Sequence, residues 1–340
     1  MRPHVPLPTT VLLSLDMNVT ALAGGVGAAR FLRGLARVID PARLCVIVNT
    51  GDDEEFFGLH VSPDLDTVTY TLAGAVDHSK GWGLPEETFR CLTALGRYYP
   101  DTWFGLGDAD LATHLFRTQQ LRQGKSLSEA TAAIAHAWGV QATLLPMSNA
   151  SVRTVVHTEA GPLPFQEYFV KGRGEGQVKK VELRGLPSAT PAPGVCAAIR
   201  TADLVILPPS NPIVSIGPIL ALPGVRQALQ ETTAPIVAVS PLVAGKPIKG
   251  PADRLLSGLG IEVSAAGVAS LYRDFLDIFV IDIQDADQRE RLEQERLTVL
   301  VTETIMSDVE KSVALARVVV EHSQKKKNER EKQRKGETEQ

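Results

Sequence analysis

Cysteine is scarce: Cys45, Cys91 and Cys196 are odd in number and far apart in a chain of 340 residues. They form neither a zinc-ligand spacing nor a disulfide framework, and a reducing cytoplasm suits them best. Long apolar runs are missing as well. No stretch approaches the ~20 residues that cross a bilayer, and Val11 to Leu15 is too short for the apolar core of a secretory signal, so no membrane partner is expected. Nor is there a basic excess: 35 Lys and Arg against 39 Asp and Glu leave a formal charge of −4, without the electrostatic footprint of a nucleic-acid binder. The 44% of hydrophobic residues suffices for one large α/β domain carrying an insertion, or for two domains.

The stretch Val19-Thr20-Ala21-Leu22-Ala23-Gly24-Gly25-Val26-Gly27-Ala28-Ala29-Arg30 organises the chain. A β-favouring apolar run enters a glycine cluster, and Phe31, Leu32, Leu35 and Val38 follow at helical spacing, which predicts strand, tight turn and helix. Gly24, Gly25 and Gly27 let backbone N–H groups at a helix start approach an anion, which suits phosphate. The spacing matches neither G-x-x-x-x-G-K-[ST] nor G-x-G-x-x-G, and a turn needing glycine only for its geometry also explains it. An NAD-dependent oxidoreductase needs the second fingerprint, and the glycines do not fit it.

Leu44-Cys45-Val46-Ile47-Val48 reads as a strand buried on both faces, ending at Asn49-Thr50-Gly51-Asp52-Asp53. Ligands of open α/β sheets sit beyond the carboxyl ends of the strands, so this cluster should face the same crevice as the glycine turn. Ser62-Pro63-Asp64-Leu65-Asp66-Thr67 then opens a helix. Capping explains one aspartate there, but Asp52, Asp53, Asp64 and Asp66 fall within fifteen residues. Hard oxygen ligands beside a phosphate cradle are what a magnesium-assisted phosphoryl transfer needs. Asp52 and Asp66, with Asp64 beside them, are therefore the candidates for holding Mg2+ and for orienting an attacking hydroxyl.

Residues 84–140 read as a helical insertion covering the crevice, with segments at Glu86 to Tyr98, Leu111 to Gln123 and Ser126 to Trp138, the last opened by a Ser126/Glu129 capping box. Trp82 and Trp103 can stack on a planar ligand or simply pack at a helix junction. His114, alone, fits a structural role. From Gln141 to Leu183 the pattern turns to β, with strands expected at Ala142 to Leu145, Val152 to Thr158, Phe165 to Val170 and Val178 to Leu183. Arg153, Lys171 and Arg173 suit a solvated strand face and receive no role.

Parallel α/β order then resumes. Asp203 to Leu207 forms a buried-type strand running into Pro208-Pro209-Ser210-Asn211-Pro212, where Ser210 and Asn211 offer hydroxyl and amide groups to a ligand. Pro235 to Val239 is followed by a turn flanked by Lys246 and Lys249, whose ammonium groups can neutralise a diphosphate. Asp277 to Asp282 and Thr298 to Val301 give two more strands, and a last helix spans Asp308 to Val320. The expected architecture is α/β: a Rossmann-like, mostly parallel sheet with helices on both faces, a helical insertion and a small β-rich segment. Residues 1–17 are expected as a disordered leader, 18–323 as a single catalytic domain and 324–340 as a charged disordered tail.

Six motifs in order, Ala23-Gly24-Gly25-Val26-Gly27, Asn49-Thr50-Gly51-Asp52-Asp53, Ser62-Pro63-Asp64-Leu65-Asp66-Thr67, Leu106-Gly107-Asp108 with Thr113-His114, Pro208-Pro209-Ser210-Asn211-Pro212 and Ser240-Pro241-Leu242, resemble the 2-phospho-L-lactate transferases (LPPG:Fo transferases) of coenzyme F420 biosynthesis. The resemblance runs from about Asn18 to Val320. It implies that the ribityl hydroxyl of the deazaflavin Fo attacks the phosphorus of a guanosine diphosphate-linked three-carbon acid, releasing GMP, with Mg2+ as the metal. It also implies an Fo contact at Asp66, to which Asp64 and Trp103 are added as candidates, with the nucleotide on Gly24, Gly25, Gly27, Ser210, Asn211, Lys246 and Lys249. The chain departs from the family pattern at Gly105, where some members carry a basic residue, and at Ala109, where arginine is common. The alternative is a non-catalytic, nucleotide-sugar-binding regulator of the gluconeogenesis-factor type. Those proteins carry D-D-G-G-S-S-G after the second strand, against Gly51-Asp52-Asp53-Glu54-Glu55-Phe56 here. Partners are thus small molecules, with a homodimer left open, and the choice among lactate, enolpyruvate and glycerate donors rests on pocket shape.

Overall fold

Val19–Ala23 (β1), buried at every position, is the strand against which the neighbouring elements assemble in this computed structural model, which describes residues 16–338. The sequence then gives α1 (Gly25–Leu35), β2 (Leu44–Val48), the hairpin β3 (Glu54–Phe56) and β4 (Leu59–Val61), and α2 (Pro63–Leu72). The insertion holds α3 (Arg90–Leu95), α4 (Asp110–Arg122) and α5 (Leu127–Ala137). After it come β5 (Thr143–Pro146), β6 (Arg153–Thr158), β7 (Gly161–Pro164) and β8 (Val178–Arg184). The second half supplies α6 (Val195–Arg200), β9 (Leu204–Leu207), α7 (Gly217–Ala221), α8 (Val225–Glu231), β10 (Ile236–Val239) and the small pair β11 (Leu242–Val243) and β12 (Lys246–Pro247). It closes with α9 (Ala252–Gly258), α10 (Ala265–Ser270), β13 (Ile278–Asp282), α11 (Arg289–Gln294), β14 (Thr298–Thr302) and α12 (Val309–Thr338).

Seven strands form one sheet in the order β14-β13-β10-β9-β1-β2-β5, parallel at every pairing. Because both faces are covered, its strands are continuous apolar runs rather than alternating ones. One face packs on α1, α2, α5 and α12, through Phe31, Leu32, Leu35 and Val319 among others. The other packs on α6, α7, α8 and α10, through Ile199, Ile219, Val225 and Val268. Side chains such as Phe31 and Leu32 have no exposed surface, so each contributes about 2 kcal/mol relative to an exposed position. Among the described residues no single helix is long and apolar enough to cross a membrane.

Four expectations differ from the structure. The run at Ala142 to Leu145 does not join the β-rich segment; as β5 it extends the main sheet beside β2, leaving β7-β6-β8 as the small antiparallel sheet. Phe165 to Val170 is not a strand: Glu167–Lys171 winds into a π-helical turn, because Phe165, Gln166 and Tyr168 all turn inward and break the alternation a strand needs. Glu86 to Tyr98 shortens to α3, since Glu86 has φ of +55° and the Asp108 carboxylate takes the Arg90 and Cys91 N–H groups. The last helix does not stop at Val320. Lys, Glu, Arg and Gln are strong helix formers, and Lys327 Nζ reaches Asp203 at 2.6 Å, so α12 runs on into the expected tail. The leader expected over 1–17 lies outside the described residues except for its last two, of which Met17 is buried in the core.

Candidate active site

The glycine turn follows β1 directly. Gly25 has φ of +75°, open to glycine at little cost, and its N–H donates to Asp64 Oδ1 at 2.7 Å. This amide is therefore occupied by the acidic cluster, which leaves the N–H groups that follow it in the first turn of α1 as the ones open to an anion. At Gly27 a Cβ would stand 2.3 Å from the Pro209 carbonyl. Glycine there is what lets the loop after β9 lie against the helix start and bring Ser210 to it.

Asn49, at the end of β2, joins the two acidic motifs. Its Nδ2 group donates to Asp64 Oδ2 at 2.9 Å, to Asp52 Oδ1 at 3.2 Å and to the Val214 carbonyl at 3.2 Å. Its Oδ1 accepts the Gly51 N–H at 2.8 Å. Asp52 and Asp64 are thereby held side by side with little exposure. Burial pushes the Asp64 carboxyl up to about 6, against the pull of the Asn49 and Gly25 hydrogen bonds. Burial, and next the charge of Asp64, raise Asp52 well above the ordinary carboxylate range. Two adjoining carboxylates that repel each other and, among the described residues, pair with no Lys, Arg or His are a donor set that fits a hard divalent cation.

Asp66, two residues and so about half a turn further along α2, has a different environment. Both its oxygens accept from Arg117 on α4, one at 3.1 Å and the other in closer contact. His114 lies between carboxylates, Nδ1 at 3.6 Å from Asp66 and Nε2 at 3.3 Å from Asp110, and the Tyr70 hydroxyl donates to Asp110 at 2.6 Å. Burial raises Asp66, while Arg117 and then His114 pull it back. Asp66, Asp110 and His114 bring ligand atoms within 4.8 Å of one another, but the guanidinium on Asp66 already supplies the positive charge a metal would bring. Asp52 with Asp64 is thus a better-suited pair for Mg2+ than Asp52 with Asp66. Asp53 braces the β3–β4 hairpin, accepting the Ser62 hydroxyl at 2.8 Å and facing His60 Nε2 at 2.9 Å.

A cavity of about 420 Å³ opens at the carboxyl edge of the sheet, and Gly24, Gly25, Gly27, Asp52, Asp64 and Asp66 share its wall. Ser210, Asn211 and Lys249 face it as well. The Ser210 hydroxyl is buried without a hydrogen-bond partner, whereas Asn211 Oδ1 accepts from the Ile213 and Val214 N–H groups and so shapes its loop. Two expected residues are not on the wall. Trp103 packs edge-on to Phe56 and Phe104 at 5.5 and 5.6 Å, and Lys246 is exposed on the β11–β12 pair. Trp82, Phe104 and Phe169 line the cavity instead. Sequence reasoning missed Arg117, which lies 51 residues from its partner; its one available signal was its place a turn after Thr113-His114. It also gave no role to Asn49 or Arg30, both within the quoted motifs.

A seven-stranded parallel sheet with a glycine turn, an acidic cluster and an aromatic-walled cavity at its carboxyl edge makes this a Rossmann-like α/β protein with a pocket of small-molecule size. More particularly, the profile described as 2-phospho-L-lactate transferase CofD matches residues 19–337, and the chain belongs to that family, whose transferases serve coenzyme F420 biosynthesis. It is 44% identical over 311 residues to the phosphoenolpyruvate transferase of Streptomyces griseus, covering 90% of this chain and 98% of that one. It is 43% identical to the phosphoenolpyruvate transferase of Mycobacterium ulcerans over 90% of this chain and 98% of that one. With the 2-phospho-L-lactate transferase of Methanosarcina mazei the identity is 38%, over 88% and 98%. Among solved structures, a UPF0052 family member from Bacillus halodurans superimposes with a TM-score of 0.60 at 15% identity, over 89% of this chain and 99% of that one; that likeness shows the shared fold.

Proposed function

We propose that the protein transfers an enolpyruvyl phosphate from its guanosine diphosphate conjugate to the terminal ribityl hydroxyl of Fo, in the cytoplasm, releasing GMP and leaving a phosphodiester. The observation that carries this reading is the single cavity shared by Gly25, Asp52, Asp64, Asp66 and Ser210. Phosphoryl transfer asks the protein chiefly for positioning and charge neutralisation. The Ser210 hydroxyl and the first free amides of α1 hold the diphosphate. Asp66, fixed by Arg117, orients the Fo hydroxyl, and Trp82, Phe104 and Phe169 flank its planar ring. A magnesium ion held by Asp52 and Asp64 would neutralise charge on the diphosphate and on departing GMP. The hydroxyl oxygen bonds to the phosphorus bearing the three-carbon acid as its proton passes to solvent, and the bridge to GMP breaks with its electron pair leaving on GMP.

Enolpyruvate is preferred over lactate as the acid because the bacterial relatives at 43–44% identity are named phosphoenolpyruvate transferases, while the 2-phospho-L-lactate transferase of Methanosarcina mazei stands at 38%. The regulator reading finds no support in this family membership. The test is incubation of the pure protein with Fo, Mg2+ and equal amounts of the enolpyruvyl and lactyl donors, read by mass spectrometry. GMP with mainly the enolpyruvyl diester is expected; neither product from a folded protein would refute the proposal.

A further inference from the structure

Arg30 and Lys249 are two cations on the cavity wall for which the fold provides no acid. Arg30 lies on α1 three residues past Gly27, and Lys249 follows β12. Both converge on the Lys80–Gly81 peptide: Lys249 Nζ donates to the Lys80 carbonyl at 2.5 Å, and a Cβ on Gly81 would lie 3.4 Å from Arg30 Nη2. Among the described residues, Arg30 has neither hydrogen bond nor ion pair, and Lys249 has no carboxylate. Asp77, the acid of this loop, is engaged elsewhere, taking the Ser79 N–H at 2.9 Å and hydroxyl at 2.6 Å and facing Lys80 Nζ at 3.4 Å.

Like charges held near each other repel, and the repulsion is relieved when an anion sits between them. Lys249 shows the effect: although the residue is exposed as a whole, loss of water around its ammonium, and next the charge of Arg30, hold it below the ordinary lysine range. A guanidinium offers paired N–H groups to two oxygens of one carboxylate or phosphate, and an ammonium adds a point charge. One helical turn is ~5 Å, so the backbone of Arg30 stands about one turn along α1 from the amides that follow Gly25.

We propose that Arg30 and Lys249 form a second oxyanion subsite, one turn from the glycine cradle, that takes an anionic group of the donor: the carboxylate of its three-carbon acid or a phosphate of its diphosphate. The inference rests on the reading that the donor is a guanosine diphosphate conjugate, but not on the identity of the acceptor.

Calorimetric titration of the full chain with GDP and with the enolpyruvyl donor, each with Mg2+, tests it. Arg30→Met and Lys249→Met are expected to bind the donor roughly tenfold or more weakly, with unchanged melting temperature, and Arg30→Lys to recover part of the loss. Weaker donor binding with GDP unaffected places the carboxylate at the subsite; equal losses for both place a phosphate there. Lys249 is exposed, so its variant keeps the test valid should Arg30→Met fold poorly. Donor binding equal to that of the parent in both methionine variants would overturn the subsite alone. A parent that binds neither GDP nor donor would overturn the functional reading and the subsite with it.

Discussion

Arg117 grips both oxygens of Asp66 from 51 residues away, and both side chains are almost wholly buried, at 1% and 7% exposure. The pair ties α4 of the insertion to α2 at the cavity wall. Removing one partner leaves the other as an uncompensated buried charge, which costs about 3–5 kcal/mol. Arg117→Ala should therefore lower unfolding stability by that amount in urea titration; a loss under ~1 kcal/mol would show that the pair does not anchor the insertion.

Asp66→Ala carries two penalties for the same reason. Read from sequence alone, the substitution removes activity and spares the fold, but the buried guanidinium adds a stability cost. The expected outcome is loss of transfer together with a lowered melting temperature, while the double variant Asp66→Ala, Arg117→Met regains stability without regaining activity. Regained activity in the double variant would remove Asp66 from the transfer step.

Asp64 predicts a pH signature. Its folded-state value of about 6 lies above the ordinary 3.8, so the folded protein binds the proton more tightly than the unfolded chain. The stabilising contribution of the protonated form is complete below about pH 4 and is lost as pH rises through about 6, of the order of 3 kcal/mol in all. Comparing cation-free parent with Asp64→Asn across that range should show the difference, and Mg2+ in excess should flatten it by favouring the ionised carboxylate. A stability difference independent of pH would contradict the assignment.

Gly27→Ala should push the Pro209 carbonyl away from α1, because the added Cβ would lie 2.3 Å from it. A stability loss of about 1–3 kcal/mol and weaker GDP binding are expected, measured by melting and by calorimetry. GDP affinity equal to the parent would show that the approach of the Ser210 loop to the helix start is not needed for the nucleotide.

The sheet was legible because strands such as β1, β2, β9, β10 and β13 are short apolar runs ending in polar clusters, which is how a parallel strand covered on both faces must read. β5 was misplaced because an edge strand and a hairpin strand share one local pattern and only tertiary pairing separates them. The glycine turn and Asp52, Asp64 and Asp66 were legible as residues because their spacing is local. Their differing environments were not: these depend on Asn49 reaching Asp64 and on Arg117 reaching Asp66, contacts made between separate elements. Trp103 and Lys246 show the converse, chemically apt side chains that are not among those lining the cavity.

The most direct test of the transfer itself uses Fo carrying oxygen-18 at its terminal ribityl hydroxyl, with the enolpyruvyl donor, Mg2+ and the pure protein, followed by mass spectrometry of both products. Attack by that hydroxyl on the phosphorus bearing the acid predicts label retained in the phosphodiester and unlabelled GMP. Label in GMP, or a diester without it, would contradict the account.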